Sequence, residues 1–434
     1  MSTSEIGLAI LGLGNVGSAV ARTLQNRQAY LEEQLGYRLV SRRALVRDLS
    51  KQRDVPMSSD TITTDPSLIL EAPDIDVVVE LMGGVEPANT YLRQALIAGK
   101  HVVTANKEVM ATHGVELLEL AAAHDRDLYF EASVGGGIPL IGPFRQDLAA
   151  NQIREVHAIL NGTTNYILTR MTETGADYVS ALHEAQELRY AEPNPANDIG
   201  GHDAASKLAI LAMLAFRCQV PPDSVYREGI DQLDSADFRY AAELGYSIKL
   251  LAIAKERPDG LEVRVHPALV QRDFLIAQVD GVFNAVRVSG DLLGRSLFIG
   301  RGAGPDPTSS AIVADLIDLG HNIRSGSHNR IPIHVDRPVR PLPITAVHSR
   351  YFLRIWVADR PGVLAQIGAV CGEEKISIAS VIQKEVDSSV GRAELVLLTH
   401  DALEASMQKA IVRMGKIDAV SDVASVIRVE DLVE

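Results

Sequence analysis

Gly12-Leu13-Gly14-Asn15-Val16-Gly17 lies between an apolar run at 6–11 and a helically spaced stretch at 16–25. The pattern is G-x-G-x-x-G in the context that gives it meaning, after a predicted strand and at the opening of a predicted helix. Glycines there let the backbone turn tightly and approach a pyrophosphate. The helix N-terminus adds unpaired N–H groups at the positive end of its dipole. Residues 12–17 are therefore candidate dinucleotide-binding positions, against the plainer possibility of a glycine-rich turn with no ligand.

Outward from this turn, 39–46, 75–81, 101–104 and 128–134 read as strands, and 89–98 and 109–124 as helices. The run IDVVVEL at 75–81 is continuously apolar, as a strand buried on both faces requires. Such alternation predicts an α/β fold, a Rossmann-type doubly wound parallel sheet over residues 1–135. At the end of its second strand Arg47 stands where a ribose 2′-phosphate would be held, with Lys51 and Arg53 near, and this favours NADP. The adjacent Asp48 leaves NAD open.

From 136 to 300 the pattern changes to helices at 178–188 and 203–216 and separated strands at 261–265 and 285–289, an α+β catalytic and oligomerisation domain. An amphipathic helix at 309–319 suggests that 301–325 packs back on the first domain. Residues 326–349, with four prolines between 328 and 349, read as a linker. Beyond it, strands at 351–357, 379–386, 392–399 and 420–429 and helices at 362–373 and 403–414 give the βαββαβ order of a ferredoxin-like module over 350–434.

The totals narrow the function class. The chain has 434 residues, enough for two to four domains at roughly 100–200 residues each. A net charge of −14 argues against bulk nucleic-acid binding. Cys218 and Cys371 build neither a disulfide framework nor a thiolate zinc site and read as small buried residues, which fits a reducing cytoplasm. The N-terminus has no signal-peptide pattern, and no run of 18 apolar residues occurs.

Polar residues gather at a few junctions. Lys107 follows the strand at 101–104, at the carboxyl edge where open parallel sheets bind ligands. Residues 190–207 form a proline- and glycine-rich loop with Glu192 and Asp198, leading into a helix that carries Asp203 and Lys207 four apart, on one face. A lysine half shielded from water and set by a carboxylate can act as acid or base, and loop carboxylates can hold an ammonium group. Spacing alone equally allows an ordinary surface ion pair. Asn161 and Thr163, at a strand–helix junction, can hold a small polar substrate or cap the helix. Glu131 and the glycine-rich segment through Pro139 can present oxygens to a hard cation or act as a hinge.

Together these stretches resemble homoserine dehydrogenases: LGLGNVG (11–17), VVVELMGGVEPA (77–88), VVTANKE (102–108), EASVGGGIP (131–139), ILNGTTNYIL (159–168), YAEPNPANDIGGHDAASKLAIL (190–211), GVFNAVRVSGDLLG (281–294) and GRGAGPDPTSSAIVADL (300–316). DRPGVLAQIG (359–368) resembles the opening of ACT domains, which bind amino acids at subunit interfaces. The resemblance implies NAD(P)-dependent interconversion of L-homoserine and L-aspartate 4-semialdehyde, in threonine, methionine and isoleucine biosynthesis. It implies catalytic roles for Lys207 and Lys107, with Asp203 orienting the substrate hydroxyl or Lys207. Glu192, Asp198, Asn161 and Thr163 would bind substrate. Lys107 and Gly302 would also touch cofactor. Glu131, Val134, Gly136 and Ile138 would form a sodium site. It further implies a homodimer or homotetramer, a cytoplasmic location, and feedback by threonine through Asp359-Arg360-Pro361-Gly362. With no aspartate-kinase domain before residue 1, the chain resembles the monofunctional form. One departure stands out: the family usually has Ala-Asp-Pro where this chain has Pro193-Asn194-Pro195. Another Rossmann amino-acid dehydrogenase, or an amino-acid sensor with a decayed enzyme half, are the competing readings. The NGTTN and HDAASK motifs oppose the first and the retained lysines the second.

Overall fold

The computed structural model describes residues 5–387 and 391–432. Six strands form a parallel sheet in the order Ile62–Thr63, Arg38–Leu45, Glu5–Leu11, Val77–Glu80, His101–Thr104, Leu128–Tyr129. The order reverses between Glu5–Leu11 and Val77–Glu80, which pair in register from Leu8↔Val77 to Leu11↔Glu80. A crevice outside the carboxyl ends of strands opens at such a switch point. Ile6, Leu8, Ile10, Val77 and Val79 are buried in one core with Ile312, Leu316 and Leu319 of the helix Pro305–Ser325. That helix begins at a proline and stops at Gly326, whose φ of 64° suits a left-handed cap. Ser309 Oγ lies 2.9 Å from Thr23 Oγ1, and Tyr37 donates its hydroxyl to the Ile317 carbonyl at 3.1 Å.

Two elements differ from the sequence reading for local reasons. The strand expected over 128–134 ends at Tyr129, because the Glu131 N–H goes to the Asp315 carboxylate at 2.9 Å and the chain turns into a 3-10 helix, Glu131–Ser133. The helix expected from 109 starts at Lys107, because Asn106 accepts the Val109 N–H at 3.1 Å and caps it two residues earlier.

A second sheet contains, in order, Phe283–Gly290, Ile153–Ile159, Tyr246–Arg257, Gly260–Gln271, Val420–Val429, His348–Ala358, Arg392–Thr399 and Ile378–Asp387. Gly260–Gln271 extends far beyond the expected 261–265. It buries Glu262, Arg264 and His266 on one face, so polar residues alternate where an apolar strand was sought. The last four strands with the helices Val363–Glu373 and Glu404–Met414 make the ferredoxin-like module, around a core including Leu353, Ile355, Ile367, Leu395 and Met407. Its final strand also pairs in parallel with Gly260–Gln271 at Ala268↔Arg428 and Leu269↔Val429.

The chain divides into two compact units. One takes the chain up to Arg154 with Ser206–Pro222 and Val288–Val339; the other takes Glu155–Ala205, Asp223–Arg287 and the chain from Arg340 onward. The ferredoxin-like module therefore shares a unit with the central strands rather than standing apart. The proline segment contributes to this: the Leu261 N–H donates to the Arg340 carbonyl at 3.0 Å and the Leu342 N–H to the Leu261 carbonyl at 2.8 Å. Cys218 and Cys371 are buried and not joined in a disulfide. Among the described residues no helix is long and apolar enough to cross a membrane.

Candidate active site

The first unit carries a glycine-rich cradle at residues 12–17. Gly12 has a φ of 100°, and a Cβ there would lie 2.8 Å from the Leu81 carbonyl oxygen. A Cβ on Gly17 would lie 1.9 Å from the Gly12 oxygen, so the third glycine lets the helix Asn15–Asn26 pack on the turn. Gly14 is different: a Cβ there would meet nothing within 4 Å. The cradle is open at its middle glycine, and no side chain caps the helix. A helix start of this kind offers unpaired N–H groups to an anion. Beside it Arg47 is exposed. Asp48 is turned back on itself, its Oδ1 accepting from Ser50 N at 2.8 Å and Ser50 Oγ at 2.7 Å. These contacts, with the Arg53 charge nearby, hold its carboxyl below the ordinary range.

Lys107 stands at the first position of its helix, and the residue that sets it there was not singled out from sequence. Glu80, fully buried at the end of its strand, accepts from the Met82 N–H at 2.7 Å and the Thr104 hydroxyl at 2.6 Å. Asn106 donates to the Gly84 carbonyl at 2.7 Å and caps the lysine's helix. Burial pushes the Glu80 carboxyl above its usual range. The sequence signal was a lone acid closing an apolar VVVE strand.

The segment 131–138 is brought against Gly302, both inside this unit. A Cβ on Gly136, whose φ is 57°, would lie 2.5 Å from the Gly302 oxygen. The Glu131 carboxylate is occupied: it accepts the N–H groups of Leu140, Ile141 and Gly142 at 2.5, 2.9 and 2.7 Å. Its side chain therefore satisfies N–H groups at the start of the helix Ile141–Arg145. Behind the loop a cavity of about 460 Å³ is lined by Tyr129, Arg145, Asp315 and Asp318 among others. Burial, with the Glu131 charge beside it, pushes Asp315 well above the carboxylate range.

In the second unit the strand Ile153–Ile159 runs into Asn161, which caps the helix Gly162–Thr174 by accepting the Thr164 N–H at 2.9 Å. The same side chain donates through Nδ2 to Asp198 Oδ1 at 2.7 Å and to Asp203 Oδ2 at 3.0 Å. Thr163 donates its hydroxyl to the Tyr190 carbonyl at 2.6 Å, fastening the loop that carries Asp198. Asp203, which is buried, opens the helix His202–Phe216; Lys207, one turn on along the same helix and also buried, belongs to the stretch Ser206–Pro222 that the first unit takes. One amide thus holds both carboxylates in place. Glu192 is not part of this set: it is exposed. Asn194, at the family departure, accepts the Ala196 N–H at 3.4 Å, a local loop contact.

A model described as homoserine dehydrogenase matches residues 139–317, and one described as homoserine dehydrogenase, NAD binding domain, matches 12–131. An ACT domain model matches 351–414. The chain is 40% identical to the homoserine dehydrogenase of Neisseria gonorrhoeae over 98% of this chain and 99% of that protein. Among solved structures, a homoserine dehydrogenase from Thiobacillus denitrificans is 42% identical, with a TM-score of 0.92 and 99% of each chain covered. A hyperthermophilic archaeal homoserine dehydrogenase in complex with NADPH is 26% identical, with a TM-score of 0.62, covering 73% of this chain and 98% of that one.

Proposed function

The chain belongs to the homoserine dehydrogenase family, and from that premise we propose how its own residues carry the reaction. The activity is oxidation of a CH–OH group with a nicotinamide cofactor. The observation that supports the substrate assignment most is the Asn161 amide shared between Asp198 and Asp203. In our reading these two carboxylates receive the ammonium and hydroxyl ends of L-homoserine. Lys207, a turn beyond Asp203, moves the hydroxyl proton. Lys107, held at its helix start by the Glu80 and Asn106 contacts, anchors substrate beside the cofactor or shares that proton.

The cofactor is NADP in this reading. Arg47 is exposed beside a cradle open at Gly14, and Asp48 is engaged with Ser50. The archaeal relative holds NADPH. When bound, the nicotinamide supplies or accepts the hydride. A sodium ion fits the loop through the carbonyls of Glu131, Val134, Gly136 and Ile138, since the Glu131 carboxylate is committed to N–H groups. The ACT module, with Asp359 and Gly362 at its first turn, takes threonine as feedback effector. A homodimer or homotetramer in a reducing cytoplasm completes the proposal.

The test is the oxidation of NADPH followed by absorbance with L-aspartate 4-semialdehyde, repeated with NADH and with added threonine. Turnover abolished in Lys207→Ala, in a protein that still binds NADPH, supports the assignment. No turnover by a folded, NADPH-binding wild type rejects it.

A further inference from the structure

The final strand of the chain places charges deep in the central sheet. Glu430 directly follows Val420–Val429, and its N–H donates to the Leu269 carbonyl at 2.9 Å. Its carboxylate is fully buried and meets three strands: Lys255 Nζ, Arg264 Nη2 at 3.1 Å and His157 Nε2 at 3.1 Å. His157 lies on Ile153–Ile159, four residues before Asn161. Two residues earlier on the final strand, Arg428 grips both oxygens of Glu228 from Nη1 at 2.9 Å and Glu404 from Nε at 2.8 Å. Glu228 is held by its own N–H on the Val265 carbonyl at 2.8 Å. Two residues on, the Ile230 N–H donates to the Ile199 carbonyl at 3.2 Å, next to Asp198.

Two routes therefore lead from the ACT module to the amide-bridged carboxylates. One runs from Glu430 through His157 to Asn161. The other runs from Arg428 through Glu228 and Ile230 to Ile199 and Asp198. We propose that Arg428 and Glu430 are positioning residues: the last strand of the regulatory module sets the separation of Asp198 and Asp203 through Asn161, and so the affinity for substrate. This rests on the reading of Asp198 and Asp203 as substrate ligands. Nε and Nη2 of Arg428 also meet the two oxygens of buried Glu404 at 2.8 and 2.7 Å, a bidentate pair that fixes the guanidinium's orientation toward Glu228 in a way that a lysine cannot reproduce.

The experiment compares Arg428→Lys and Glu228→Gln with the wild type in KM for aspartate 4-semialdehyde, kcat, dissociation constant for NADPH and melting temperature. The Glu228 side chain is 35% exposed, so Glu228→Gln keeps the fold if Arg428→Lys does not. Expected is a rise in KM on the order of tenfold in either variant, with NADPH affinity within about twofold of wild type, as a small shift in ligand position produces. Unchanged KM in folded Glu228→Gln overturns the proposal. So does a loss of NADPH affinity and melting temperature in step with KM, which marks a general brace. A wild type without turnover rejects the functional reading instead, before any variant is compared.

Discussion

Asn161 Nδ2 lies 3.0 Å from Asp203 Oδ2 while its Oδ1 accepts the Thr164 N–H at 2.9 Å, so one side chain both starts a helix and joins the carboxylates. The two roles separate by substitution. Serine is as good an N-cap as asparagine but has no amide to bridge Asp198 and Asp203. Asn161→Ser is expected to melt close to wild type and to lose kcat/KM for the semialdehyde on the order of a hundredfold, as misplaced ligands do. Steady-state kinetics beside a melting curve checks it; a large loss of stability with normal kinetics would reverse the assignment.

The glycines of the cradle make a paired prediction. Gly17→Ala puts a Cβ 1.9 Å from a backbone oxygen, and overpacking of that kind costs about 1–3 kcal/mol or more. Gly14→Ala meets nothing in the protein within 4 Å, and its φ of −80° suits alanine. It should leave the melting temperature unchanged yet weaken NADPH about ten- to a hundredfold, because the methyl stands where the pyrophosphate approaches. Fluorescence titration of NADPH reads the second effect, calorimetry the first.

Arg47 should discriminate cofactors. A charge-assisted hydrogen bond is worth about 1.5–3 kcal/mol, so Arg47→Ala is expected to weaken NADPH by about ten- to a hundredfold and leave NADH nearly as it was. Equal losses for both cofactors in the same titration would mean that Arg47 does not face the 2′-phosphate.

What the sequence revealed and what it hid have physical reasons. The parallel sheet was readable because strands such as Val77–Glu80 are apolar but for their last residue and are soon followed by glycines, here Gly83 and Gly84. In the glycine-rich turn, Gly12 and Gly17 answer to steric demands of the fold, while a Cβ on Gly14 meets nothing within 4 Å. The long strand Gly260–Gln271 was largely missed, since Glu262, Arg264 and His266 alternate with apolar residues and look solvent-facing. Arg264 is buried because Glu430, some 160 residues later, pairs with it at 3.1 Å, and Glu262 and His266 in turn contact Arg264, a grouping that no local window contains. Glu192 read as a ligand by its place in a motif and lies exposed, whereas the contact of the Asn161 amide with Asp198, 37 residues on, could be seen only in the fold.

Glu80 predicts a pH dependence. Burial raises its carboxyl pKa in the fold, so the folded state keeps a proton that the unfolded state has released. The stability this gives is complete below the ordinary carboxyl pKa and is lost as pH rises through the raised value. Glu80→Gln keeps the shape without the charge. The variant is expected to gain melting temperature relative to wild type as pH goes from 5 toward 8. A constant difference across that range would show that Glu80 does not titrate there.

Removing the ACT module should not yield a merely deregulated enzyme. A chain ending near residue 345 loses the strand that pairs with Gly260–Gln271 at Ala268 and Leu269. It also loses Glu430, leaving Lys255 and Arg264 as buried cations deprived of that carboxylate. Breaking a buried pair from one side costs about 3–5 kcal/mol, a large part of the ~5–15 kcal/mol that holds a typical protein folded. The truncated chain is therefore expected to aggregate or to melt many degrees lower, and calorimetry of the purified product decides it. A truncated protein as stable as the full chain would mean that the final strand is dispensable to the second unit. Threonine control is better probed by Asp359→Ala in the full chain, where loss of inhibition cannot be confused with loss of the sheet.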